Sequence, residues 1–208
     1  MFDLDNTLGD RAAAVDAWLD EFAAAHGLDD ATCGWIASLD ADGYAPRHEV
    51  FGQIRARLDL AASADELVAA YRTRVVELTT ATDGARDCLV ALRAAGHHLA
   101  IVTNGSSSQQ HAKIDRLGFR ELVDAVIVSG DLSITKPDHR IFHIAADQAG
   151  ATLDGAWMVG DSAVHDIAPA AALGLRTVWI RRGRDWDLDG VEPTLVVDSP
   201  AEIAALIV

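Results

Sequence analysis

The chain has 208 residues, half of them apolar, with 17 Lys plus Arg against 32 Asp plus Glu and a net charge of −15. A surface this acidic repels nucleic acid polymers and anionic membranes, and a small phosphorylated ligand would need a local positive site. No stretch reaches the roughly 18 apolar residues of a membrane span, the first residues carry no basic-then-apolar leader, and Cys33 and Cys88 form no CxxC pair. A reducing cytoplasm is the expected compartment, with the protein a monomer or homodimer.

The chain opens with Met1-Phe2-Asp3-Leu4-Asp5-Asn6-Thr7-Leu8. On extended backbone, Asp3 and Asp5 point to one side, and Thr7 continues the row. Taken alone, the stretch is either an acidic turn or the start of a catalytic site. Residues 10 to 80 read as helical. Val15, Trp18, Leu19 and Phe22 share one face of a helix over Ala12–Ala25, which Gly27 stops. Thr32–Leu39 is a short apolar stretch, and Asp40-Ala41-Asp42-Gly43 is a turn. That turn resembles the start of a calcium loop, but Phe51 stands where the closing Glu belongs. Helices follow around Val50–Leu58 and over Asp65–Leu78. Trp35, Tyr44, Arg47 and His48 in this region either contact substrate or belong to core and surface.

Beyond Thr82 the pattern alternates. Helices are expected over Asp83–Ala95, Ser107–Leu117, Asp138–Ala149 and His165–Leu173. Strands are expected over Leu99–Val102, Ala125–Val128, Trp157–Val159, Arg176–Ile180 and Leu195–Val197. Ser199-Pro200-Ala201-Glu202 is a capping box that opens a last helix. Short apolar strands alternating with helices imply an α/β fold, a Rossmann-like parallel sheet covered on both faces. Ligands of such sheets bind outside the carboxyl ends of the strands. Those ends carry Asp3, Asp5 and Thr7; Thr103, Asn104 and Gly105; Thr135-Lys136-Pro137; and Gly160-Asp161-Ser162, with Asp166 beyond. Fifteen of the 17 cationic residues are Arg, so a lysine at a strand end carries information. His139 and His143 lie four apart on a helix but lack the Glu of HExxH, and a solvated face is expected for them.

DLDNTL, VTNG, TKPD and VGDSAVHD resemble, in order and spacing, the four motifs of the haloacid dehalogenase-like (HAD) hydrolase superfamily. The helical stretch between the first two resembles the α-helical cap of one subgroup. The resemblance implies a core over 1–9 and 82–208 with the cap at 10–81. It implies a Mg²⁺-dependent phosphatase acting on a small phosphorylated metabolite. Asp3 would be the nucleophile that becomes an aspartyl-phosphate, and Asp5 the acid and base. Asp3, Asp5 through its backbone carbonyl, Asp161 and Asp166 would hold Mg²⁺. Thr7, Thr103, Asn104, Gly105 and Lys136 would serve the phosphate. Nucleotidase and sugar phosphomutase activities stay open on the same fold, as do phosphotransfer and a catalytically idle binding protein. A 2-haloacid dehalogenase is a further, less favoured alternative, because resemblance to that branch would not include the second acid, Asp5. The family's first strand has several apolar residues before the nucleophile, whereas only Met1 and Phe2 precede Asp3 here. A central strand that has lost ladder bonds is therefore expected. The tail after Ile180 carries no motif.

Overall fold

The computed structural model describes residues 1–207. Five parallel strands lie in the second part of the chain, with helices between the first four: β1 (Ala100–Thr103), β2 (Ala125–Val128), β3 (Trp157–Gly160), β4 (Arg176–Ile180) and β5 (Leu195–Val197). β1 pairs with β2, and β3-β4-β5 form a second set. The first residues of the chain join the two. Phe2 bridges Ile101 of β1 on one side and Val159 of β3 on the other, both in parallel. The short stretch before Asp3 makes four ladder hydrogen bonds: Phe2 N–H to Ala100 O, Val102 N–H to Phe2 O, Asp3 N–H to Val159 O and Val159 N–H to Met1 O. The segment is central, and its ladder is short as expected: Phe2 alone bridges each neighbouring strand. Phe2 bonds β1 through both its backbone groups while Met1 and Asp3 bond β3, which fixes the direction in which Asp3 leaves the sheet.

Neighbouring residues of each strand feed opposite faces, as the pleat requires. Ile101 and Val159 join Leu89 of α5 (Ala85–Ala94), Ile114 of α6 (Ser107–Leu117) and Ile203 of α10 (Ile203–Ile207) on one face. Val102 and Met158 join Ile141, Phe142 and Ala145 of α8 (Arg140–Gln148) on the other. Helices thus cover both faces of a parallel sheet. A turn of helix, α7 (Ser129–Leu132), follows β2 directly, where the sequence pattern predicts no element.

Two segments differ from expectation. The helix expected over His165–Leu173 begins as a π-helical turn, Ala163–Ile167, and becomes α-helical only as α9 (Ala168–Ala172). Pro169 cannot donate a backbone hydrogen bond into the preceding turn, and the Ser162 carbonyl accepts from both Asp166 and Ile167. The capping box at Ser199–Glu202 is present, but it opens a 3₁₀ turn before α10.

Gly84 precedes α5 at φ +71°, and a Cβ there would lie 2.5 Å from Ala201 Cβ and 2.6 Å from its Cα. The obstacle includes backbone and cannot swing away. Gly84→Ala is expected to destabilise the protein by about 1–3 kcal/mol, measured as a lower urea midpoint with an unchanged slope.

The chain folds as two compact units, one of Met1–Asp10 with the residues from Thr80 onward, the other of Arg11–Thr79. The second unit is built from α1 (Arg11–His26), α2 (Asp30–Ser38), α3 (Arg47–Leu58) and α4 (Ala64–Leu78) around Trp18, Ile36, Phe51, Ile54, Tyr71 and Val75. The turn at Asp40 closes on an ion-pair network. Asp40 Oδ1 accepts from Arg11 Nη2 at 2.7 Å and from Arg47 Nη1 at 2.6 Å. Burial alone would raise the Asp40 pKa, but the two guanidiniums outweigh it and hold it below its ordinary value. Arg57 lies over the Trp35 ring at 4.3 Å, while Tyr44 and His48 are exposed. His139 and His143 are exposed, as expected. No described helix is long and apolar enough to cross a membrane.

Candidate active site

The carboxyl ends of the sheet bring the sequence-predicted acids together. Asp3 leaves the central segment, Asp161 follows β3, and Asp166 comes from the π-helical turn. One carboxylate oxygen from each lies within 4.8 Å of the others, and all three residues are buried. The Ser162 N–H donates to Asp166 Oδ2 at 3.1 Å. A Cβ at Gly160 would collide with the Asp166 carboxylate, so the close approach of that acid to β3 needs glycine.

Lys136 is the cation at the centre. Its Nζ donates to Asp3 Oδ1 at 2.7 Å and to Asp166 Oδ1 at 2.6 Å. Burial alone would lower its pKa, but the two carboxylates outweigh that and raise it. The acids are raised too. Burial pushes Asp3 up, with Lys136 opposing and Asp5 adding to the shift. Burial also pushes Asp166 up, against Lys136. Asp161 is pushed up to about 6 by burial and by Asp3, against Arg182 and Arg184. Carboxylates crowded at such cost mark a place built for positive charge.

The residues expected to hold phosphate divide in two. Thr7 is fully buried, and its Oγ1 has no hydrogen-bond partner among the described residues. Thr103 Oγ1 accepts from Gln110 Nε2 at 2.8 Å and donates to Asn104 O at 3.3 Å. Asn104 works as a tether. Its Nδ2 donates to Lys136 O at 2.9 Å, and its Oδ1 accepts from the Lys136 N–H at 2.8 Å. The Gly105 N–H donates to Ser129 Oγ at 3.0 Å. The Asn104 side chain and the Gly105 N–H therefore fasten the β1 loop to the loops beyond β2.

Four further residues enter the site. Lys113 and Gln110 of α6 reach Asp5: Lys113 Nζ lies 2.6 Å from Oδ1, and Gln110 Nε2 lies 3.1 Å from Oδ2. Arg182 Nη1 donates to Asp161 Oδ2 at 2.9 Å, and Arg184 Nη2 donates to the same oxygen at 3.1 Å. The Asp161 carbonyl accepts from Arg184 Nη2 and from Trp179 Nε1. The segment after Ile180, expected to carry no motif, nevertheless reaches the site: the loop after β4 supplies the arginines that grip Asp161. Looking past the end of β4 as past the other strand ends would have found them. For Lys113 the signal was its scarcity, as one of two lysines in the chain. Asp3, Asp5, Asp161 and Asp166 thus face Lys113, Lys136, Arg182 and Arg184. The formal charges balance, in a chain that is otherwise strongly acidic.

The chain is similar to known proteins in the same sense. A 139-residue stretch is 32% identical to the pyrimidine 5'-nucleotidase YjjG of Escherichia coli, covering 66% of this chain and 61% of that protein. A stretch of 117 residues is 34% identical to the glyceraldehyde 3-phosphate phosphatase of Pyrococcus abyssi, covering 56% and 49%. The matches thus span about half to three-fifths of the length of these relatives. The crystal structure of the HAD-hydrolase YfnB from Bacillus subtilis, bound to magnesium, shares the fold with a TM-score of 0.80 at 23% identity, over 99% of this chain and 96% of that one. The family model of the haloacid dehalogenase-like hydrolases matches residues 1–180, a range that holds all four acid-bearing, threonine-bearing and lysine-bearing strand ends, and the chain belongs to that family.

Proposed function

We propose that the protein is a phosphomonoester hydrolase that works through a covalent phosphate on Asp3. The observation that carries this is the convergence of Asp3, Asp161 and Asp166 on Lys136 at the strand ends, beside a second acid, Asp5. Relatives named as phosphatases and a nucleotidase support it. Asp3 attacks phosphorus in this reading, which is supported by its backbone bond to β3 and by the anchoring of one oxygen by Lys136. Lys136 offsets the charge that nucleophile and phosphate share. Asp5 protonates the leaving oxygen and then takes a proton from the attacking water. The Thr7 Oγ1, without a partner among the described residues, offers a hydroxyl, and Thr103 would turn its own from the Asn104 carbonyl to the phosphate. Asp5 also argues for phosphoryl transfer over dehalogenation, which has no leaving oxygen to protonate.

The donor set fits a magnesium ion: three hard carboxylate oxygens mutually within 4.8 Å, in carboxyls whose pKa values are raised chiefly by burial and further by one another. Asp3, Asp161, Asp166 and the Asp5 carbonyl would hold it. When bound, it would supply positive charge to the phosphate oxygens. Free Cys33 and Cys88 agree with a reducing cytoplasm. A panel of sugar phosphates, nucleotides and other small phosphomonoesters, assayed for released phosphate with and without chelator, tests the reading. Turnover that chelator stops supports it; folded protein with magnesium that releases no phosphate from any of them contradicts it.

Magnesium affinity should be proton-linked. Ligation needs ionised carboxylates, and Asp161 sits at about 6 with Asp166 also raised. Protons therefore compete for these oxygens below neutrality. Affinity is expected to strengthen as pH rises from 5 to 8, by about tenfold per unit for each proton displaced, and then to level off. Calorimetric titration at several pH values reads this out. An affinity flat across that range would contradict it.

A further inference from the structure

Asp5 lies outside the cluster centred on Lys136, and α6 grips it separately. Lys113 Nζ lies 2.6 Å from Asp5 Oδ1 and 2.8 Å from Oδ2. Gln110 Nε2 donates to Asp5 Oδ2 at 3.1 Å and to Thr103 Oγ1 at 2.8 Å. Lys113 is 1% exposed and Gln110 2%. Three residues apart, they share one helix face with Ile114, which packs in the core. Taking an ammonium and a primary amide out of water is costly unless each is paired. Both are paired with the same carboxylate. The arrangement extends to the backbone: a Cβ on Gly105 would lie 2.8 Å from Gln110 Cγ, so the VTNG glycine leaves room for this side chain.

We propose that Lys113, backed by Gln110, is the positioning residue for the proton transfers of Asp5. The role rests on the phosphatase reading. In the first step an Asp3 oxygen bonds to phosphorus, the bond from phosphorus to the leaving oxygen breaks, and the Asp5 proton passes to that oxygen. Asp5 is left as a carboxylate facing Lys113. In the second step water attacks phosphorus and gives a proton to Asp5, the Asp3–phosphorus bond breaks, and phosphate departs. Lys113 keeps its protons throughout. It fixes the aim of the Asp5 carboxylate and offsets the negative charge present there between the two steps.

Leaving-group dependence separates this role from a structural one. Nitrophenolate leaves without a proton, so kcat/KM on 4-nitrophenyl phosphate reports the attack by Asp3 alone. An alkyl phosphate such as glycerol phosphate also needs Asp5. Lys113→Met is expected to lower kcat/KM on the alkyl ester by about 30-fold and on the aryl ester by less than about threefold. Lys113→Arg should recover part of the alkyl activity. Gln110→Leu should show the same split more weakly, and it carries the test if Lys113→Met does not fold. A purely structural residue would lower both substrates in parallel. A parallel fall, or no fall, in an active enzyme removes the role of Lys113 and leaves the phosphatase reading standing. The alkyl ester is the best-hydrolysed member of the phosphomonoester panel, and folded wild-type protein with magnesium that releases phosphate from no member of that panel removes both.

Discussion

Asp3→Asn is expected to lower phosphate release by at least about 10⁴-fold, because an amide cannot serve as the nucleophile and no other acid occupies its place on the sheet. Asp3 is the carboxylate whose backbone is anchored between β1 and β3, and Lys136 holds one of its oxygens. Asp161 and Asp166 come from other loops, and Asp5 is drawn towards α6. The same substitution should not weaken the metal-free fold. The carboxyl of Asp3 is pushed up chiefly by its burial, so the folded protein holds the charged form at a cost that asparagine avoids. Without metal, the melting temperature of the variant should equal or exceed that of the wild type. With magnesium the order should reverse, since a ligand has been lost. Measuring phosphate release and thermal unfolding on one preparation checks both halves. Activity retained near the wild-type level would remove Asp3 from the chemistry.

Lys136→Met should act in the opposite sense on stability. Its ammonium holds two buried carboxylates at 2.7 and 2.6 Å, and Met leaves both without it. Breaking a buried ion pair from one side costs about 3–5 kcal/mol. The cost should be largest near pH 8, where Asp166, raised to about 7, is ionised. It should shrink towards pH 5, because Asp166 takes up a proton there and burial also raises the pKa of Asp3. Adding Asp166→Asn should recover part of the loss, since the second change removes one of the stranded charges. Urea unfolding of the two single variants and the double variant at both pH values gives the cycle. Equal losses at the two pH values would mean that the lysine packs rather than pairs.

Much of this site was legible in the sequence because strand ends are legible. Asp3, Thr103, Lys136 and Asp161 each come soon after a short apolar run, and a parallel sheet gathers the residues beyond its strands on one edge. The parts that escaped are long arms. Lys113 and Gln110 sit mid-helix, and Arg182 and Arg184 sit in a loop. Spacing tells which face such residues occupy, but not which carboxylate the side chain reaches. Asn104 shows the converse: a motif residue in the expected place whose side chain bonds the Lys136 backbone. The π-helical turn was hidden for another reason. Apolar spacing reads a helical face without distinguishing an α-turn from a wider one, and Pro169 was the single local hint. The pairing of Met1–Asp3 was hidden because a three-residue stretch has too little pattern to show how firmly two neighbouring strands hold it.

The central claim is that phosphate becomes covalently attached to Asp3, and acid quenching during turnover tests it most directly. Protein quenched while hydrolysing an aryl phosphate should carry phosphate on the peptide that begins Met1-Phe2-Asp3, mapped to Asp3 by mass spectrometry. The label should be labile to base, as an acyl phosphate is, and absent from Asp3→Asn. Rapid turnover with no phosphate on that peptide, or with phosphate on another residue, would contradict the account.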